Sequence, residues 1–184
     1  MTLFGVIALA ISLALSSMVL LYNAASHTSI RPTTGLLLSF LLGVVQAAAL
    51  LLGIAIGALL RFDLTEIDKT FFFAMYCIVA IKLLLSVFSR SAKGGSYDFS
   101  RVSTMLALAA VSAINPLLLG IGQGFIDDFG IVFVKAFVPI LLIVTVFAYL
   151  GVMLGRSGKE LKSRRWTLIA ALFLVVLAIQ FGLR

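Results

Sequence analysis

The chain has 184 residues and a net charge of +7, yet only 11% of it is charged while 62% is hydrophobic, with a mean hydropathy of +1.23. A soluble domain runs nearer a quarter charged because its surface must be solvated, so this composition excludes one and implies a lipid surround. Length excludes more: at about 20 residues per membrane crossing the chain holds six or seven spans and leaves no room for a separate catalytic domain.

Six apolar segments of spanning length follow one another, at about 3–22, 35–60, 70–88, 103–126, 131–154 and 166–183. Only Met1 and Thr2 precede the first, without the positive n-region of a cleaved signal peptide, so it is expected to persist as a helix. It carries Ser16 and Ser17 near its centre. The second, from Gly35 to Leu60, is apolar on every face, unlike the alternating strands of a membrane β-barrel, and contains Gln46, Gly53 and Gly57. The third holds Lys82 and the single cysteine, Cys77, which rules out an internal disulfide. In the fourth, Asn115-Pro116 precedes Gly120, Gly122 and Gly124. Proline removes a backbone donor and crowds the preceding turn, so a kink or break at Pro116 is expected, with freed carbonyls as candidate ligands. The fifth carries Lys135 close enough to one end to snorkel, then Gly151 and Gly155.

Loop charges predict the orientation. The odd-numbered connections hold Arg31, then Arg90, Lys93 and Arg101, then Arg156, Lys159, Lys162, Arg164 and Arg165; the even ones hold Arg61 and Lys69 with five acids. By the positive-inside rule the odd loops are cytoplasmic and both termini lie outside, in what we expect to be a bacterial inner membrane. The basic residues then face lipid headgroups, and nucleic acid is not an expected partner.

A weak repeat runs through the chain. Leu52-Gly53-Ile54-Ala55-Ile56-Gly57 returns 98 positions later as Leu150-Gly151-Val152-Met153-Leu154-Gly155, and Ala80-Ile81-Lys82 returns at the same offset as Ala178-Ile179-Gln180. Each half has three helices, an odd number, so the halves must be inverted, an arrangement found in transporters. The expected fold is therefore an all-α integral membrane protein, one domain over 1–184, with six transmembrane helices in two inverted three-helix repeats, about 1–92 and 93–184. Glycines four apart, Gly53/Gly57 and Gly151/Gly155, let helices approach closely; packing inside the bundle and homodimerisation are both open readings.

Polar groups in hydrocarbon need partners or a function. Ser16, Ser17, Gln46, Lys82 and Asn115 all fall near span centres and form the candidate substrate or ion pathway, with Ser16 and Asn115, 99 positions apart, as candidate metal ligands. Each has a structural alternative: serines bond back to the preceding turn, Gln46 and Asn115 join helices, and Lys82 snorkels. No Asp or Glu falls at a span centre. The single histidine, His27, excludes a His-based metal cluster, no Walker A loop is present, and lone serines do not make a hydrolase. An enzyme is not expected, nor a resident cofactor; the lipid bilayer and a small transported ion or solute are the expected partners.

With these residues in view, the chain resembles the MntP-type manganese efflux pump family, within the LysE-like exporter group. The resemblance covers nearly the whole chain and is best at Leu119-Gly120-Ile121-Gly122 and Gly151-Val152-Met153-Leu154-Gly155-Arg156. It implies export of Mn²⁺ as cargo. It also exposes systematic departures: aspartates that the family carries in the first and fourth helices correspond to Ser16 in Leu15-Ser16-Ser17 and Asn115 in Ile114-Asn115-Pro116, a glutamate corresponds to Gln46, and an arginine to Lys82. Mn²⁺ favours carboxylate and other oxygen ligands, so a member without central carboxylates leaves three readings: a divergent cation exporter, an exporter of a neutral or anionic solute, or a transport-inactive membrane subunit or scaffold.

Overall fold

The computed structural model describes residues 3–28, 30–61, 68–88, 102–125, 129–158 and 163–182. Among these the chain forms six α-helices and no strand: α1 (Leu3–His27), α2 (Pro32–Arg61), α3 (Asp68–Phe88), α4 (Val102–Gly124), α5 (Phe129–Arg156) and α6 (Ser163–Gly182). The boundaries follow the local chemistry. Pro32 opens α2, where its missing N–H is not needed, and Gly158, beyond α5, takes a φ of 65° that suits glycine. α4 runs unbroken from Val102 to Gly124 with Pro116 inside it, so of the kink or break expected there the break is not seen. The intact turns on either side carry the helix past the one bond that proline removes. Pro139 lies inside α5 in the same way.

Four helices are long and apolar enough to cross a membrane, over Val6–His27, Pro32–Leu60, Ser103–Gly124 and Phe137–Arg156. The described apolar parts of α3 and α6 are shorter, Phe73–Leu85 and Arg165–Leu177. The outer surface is apolar as well: Leu37, Leu59, Leu85, Val111, Val146 and Leu172 are all more than half exposed. Such a surface is stable only in lipid. The chain is an integral membrane protein.

Lipid tails are as apolar as leucine, so helices associate here through close packing and hydrogen bonds rather than escape from water. The principal contacts join α1 to α5 and α6, α2 to α4 and α5, α3 to α4 and α6; α1 and α4 scarcely touch. Gly35 lies against Val152 and Gly43 against Thr145, so α2 and α5 run antiparallel. By contrast Gly53 meets Leu117 and Gly57 meets Ile121, and the numbers rise together, so α2 and α4 are parallel. The same holds for α1 and α5, where Gly151 meets Met18 and Gly155 meets Tyr22. Because α2 and α5 are antiparallel, these two parallel seams close at opposite ends of the bundle.

Candidate functional site

Ser16 and Ser17 lie midway along α1, and both hydroxyls donate to the Leu13 carbonyl, at 2.8 and 2.9 Å. This is the back-bonding expected of serines in a membrane helix. It also decides what Ser17 can do next. Its one proton is committed to Leu13, so its oxygen can only accept, and it accepts from Gln46 Nε2 at 2.8 Å. That bond orients the amide and turns Gln46 Oε1 away from Ser17. Gln46 is 1% exposed, and its Oε1 is buried with no hydrogen-bond partner. A buried unpaired carbonyl costs about 1–3 kcal/mol, so the arrangement is not explained by stability alone. α1 and α2 share few direct contacts, both packing on α5, and the Ser17–Gln46 bond is one of them.

Thr145 Oγ1 on α5 is a second buried oxygen without a partner. It faces Gly43, one helical turn before Gln46 on α2. Sequence reasoning missed Thr145 because threonine in an apolar helix normally bonds its own backbone, and only the α2–α5 packing shows that this hydroxyl does not.

Lys82 and Asn115 form a separate pair. Lys82 Nζ donates to Asn115 Oδ1 at 2.8 Å, so the lysine turns to α4 rather than snorkelling to the interface. Lys82 is exposed, beside the outward-facing Ile78, Ile81, Val111 and Ile114. The bond belongs to a seam between α3 and α4 that also holds a Phe71–Phe125 ring contact at 4.5 Å and a Tyr76 hydroxyl donating to Gln123 Oε1 at 3.1 Å. The structure thus divides the five sequence-derived positions: Ser17 and Gln46 meet between α1 and α2, Lys82 and Asn115 meet between α3 and α4, and Ser16 bonds back within α1. Ser16 and Asn115 were read from the sequence as one metal-binding pair. Their helices scarcely touch, and the Asn115 oxygen is already engaged by a cation.

Another buried polar contact was not anticipated: Ser12 Oγ donates to the Ala170 carbonyl at 3.0 Å and ties α1 to α6. Among the described residues no group of three or more His, Cys, Asp or Glu side chains could hold a metal ion. The acids of the even-numbered loops at 63, 66, 127 and 128 lie outside the described residues, as do Arg90, Lys93 and Arg101, and Lys135 lies within α5 with its side chain not described.

A helical bundle coated in apolar side chains, with few buried polar groups among the described residues, defines a polytopic membrane protein. The family described as "Putative manganese efflux pump", Mntp, matches residues 29–181, and the chain belongs to that family. The family is one of efflux transporters rather than enzymes. No curated protein and no solved structure matches the chain.

Proposed function

We propose that the protein is a six-span secondary transporter that works by alternating access between two inverted three-helix repeats, exporting Mn²⁺ or a similar divalent cation from the cytoplasm. The observation that carries this reading is the correspondence of the two parallel seams. Gly53 and Gly57 of α2 press on the backbone of Leu117 and Ile121; Gly151 and Gly155 of α5 press on Met18 and Tyr22. The glycines correspond at an offset of 98 and their partners at 99, the same offsets that relate the sequence repeats and that align Ser16 with Asn115. One seam seals each end of the bundle, so loosening one while the other holds exposes the middle to one side at a time.

In this reading the cargo is coordinated by neutral oxygens: Gln46 Oε1 first, then the Ser16, Ser17 and Thr145 hydroxyl oxygens. Gln46 Oε1 fits the role because it is buried, polar and unpartnered. Membrane pathways can replace an ion's hydration with uncharged oxygens, although a dication without a counter-charge is costly to desolvate. The odd-numbered loops face the cytoplasm, both termini face outward, and the membrane is the bacterial inner membrane.

The test is manganese content in a bacterial cell lacking its own exporter. Wild type is expected to lower cellular manganese and restore growth in excess metal; Gln46→Leu, present in the membrane at normal amount, is expected to do neither. Manganese content identical with and without the wild-type protein would overturn the cation reading.

One observation favours a second substrate class. An ammonium fixed by a hydrogen bond repels dications that approach it, and Lys82 is so fixed by Asn115 on the exposed α3–α4 face. If the cargo is instead a neutral or anionic solute, Lys82→Met abolishes its transport, whereas for a cation the same change leaves export intact or raises it.

A further inference from the structure

At the end of the bundle that carries the odd-numbered loops, three helix ends converge on a cleft of about 650 Å³. α1 contributes Ser26 and His27, the connection contributes Thr28 and Arg31, α2 begins there with Pro32, and α5 ends there with Gly155 and Arg156. Its described lining contains two guanidinium groups and an imidazole but no carboxylate. Arg31 and Arg156 are exposed.

The donors are of the kind that bind phosphate. Arginine presents a planar fork of N–H groups that matches phosphate oxygens. Thr28 also lines the cleft, and its Oγ1 is buried with no hydrogen-bond partner. Ser26 cannot serve in the same way, because its proton is given to the Asn23 carbonyl at 3.0 Å. The volume falls within the roughly 300–1,000 Å³ of small-molecule sites, which suits an organic phosphate better than a bare ion.

We propose that this cleft binds a phosphate-bearing anion through Arg31, Arg156 and Thr28, bridging the ends of α1, α2 and α5. The same chemistry is offered by the headgroup of an anionic phospholipid and by a soluble phosphate compound. The bridge lies over the α1–α5 seam, since Gly155 both lines the cleft and packs on Tyr22. Binding there stabilises the closed form of that end, by mass action on the state that holds the site together.

The full-length protein in neutral detergent serves for the test, with two probes. One arm measures thermal melting with phosphatidylglycerol against phosphatidylcholine; the other measures binding of inorganic pyrophosphate by calorimetry. The variants are Arg31→Gln/Arg156→Gln, Thr28→Val, and Arg165→Gln, an exposed arginine at the start of α6 that does not line the cleft. The expected result is binding of at least one probe, weakened at least tenfold in the double variant, roughly fivefold in Thr28→Val, and unchanged in Arg165→Gln. A lipid response alone assigns the headgroup, and a pyrophosphate response assigns a soluble ligand. Failure of both probes to bind the wild type, or equal losses in Arg165→Gln and the double variant, overturns the proposal. Thr28→Val keeps the charge of the cleft, so it decides the matter even if the double variant does not fold.

Discussion

The α2–α4 seam and the α1–α5 seam use the same device with different thoroughness. In the first, glycine faces glycine: Gly53 and Gly57 press on α4 while Gly120 and Gly124 press on the carbonyls of Leu50 and Ile54 in α2. In the second, glycine comes from α5 alone. The positions of α1 that correspond to Gly120 and Gly124 are Leu21 and Ala25; Leu21 is fully buried in an apolar cluster, and the Ala25 methyl sits 2.8 Å from where a Cβ on Gly155 would lie. Both seams bring glycine against backbone, but the one-sided seam is looser at its outer end, where a Cβ on Gly155 would lie 2.7 Å from the Tyr22 oxygen and 2.8 Å from the Ala25 methyl, whereas Gly53, Gly57, Gly120 and Gly124 all meet backbone more closely. The difference implies that the α2–α4 end is the stiffer closure and the α1–α5 end the readier to open.

The largest expected effect comes from making the stiff seam imitate the soft one. Gly120→Leu places in α4 the residue that α1 carries at the matching position, but its Cβ would overlap the Leu50 carbonyl. Overpacking against backbone costs about 3 kcal/mol or more, so the variant is expected to melt far below wild type in detergent and to accumulate poorly in the membrane. The comparison is sharpened by Gly155→Ala at the other seam, where the nearest atoms are the Tyr22 oxygen at 2.7 Å and the Ala25 methyl. Here a loss of about 1 kcal/mol is expected. Equal losses for Gly155→Ala and Gly120→Ala would remove the distinction between the seams.

How far these features were legible in the sequence depends on whether they are local or arise from packing. The six helices follow from apolar runs of spanning length, and their ends shift by only a few residues, chiefly at α1, which continues past residue 22 to His27. The seam glycines were legible because spacing by four is itself the signal. The expected break at Pro116 was not, since flanking helical turns outweigh one missing bond. Central depth for Ser16, Gln46, Lys82 and Asn115 could be counted along each helix, but depth does not fix direction. Only the way α1 lies against α5 and α3 against α4 separates Ser17–Gln46 from Lys82–Asn115. Thr145 and Ser12 were missed for the same reason, as hydroxyls in apolar helices become informative only when their neighbours are known.

A smaller change in stability, with a large one in transport, is expected at Gln46. Gln46→Leu deletes the bond to Ser17 but also deletes the unpaired Oε1. In membrane proteins an interhelical hydrogen bond contributes about 0.6 kcal/mol, and burying the unpaired carbonyl opposes it. The net change in melting should stay within about 1 kcal/mol of wild type, while manganese export is lost. A strongly destabilised Gln46→Leu protein would instead make this residue a tie between α1 and α2 and shift attention to the Lys82–Asn115 side.

The smallest effect tests a second inequality between the halves, the burial of their first helices. The span in α1 is 67% buried and that in α4 only 39%, so corresponding residues meet different surroundings. Ser12 is buried and bonds the Ala170 carbonyl of α6, whereas Val111, 99 positions on, is 63% exposed on the lipid side. Ser12→Ala removes that bond and leaves the Ala170 carbonyl with its own helix bond, for an expected loss of about 0.6 kcal/mol. Val111→Ala trades lipid contact for lipid contact and should leave melting unchanged. If both variants melt alike, α1 owes its central place to close packing with α5 alone; if Ser12→Ala alone is weakened, α6 helps to hold α1 by a tie that α4 lacks at Val111.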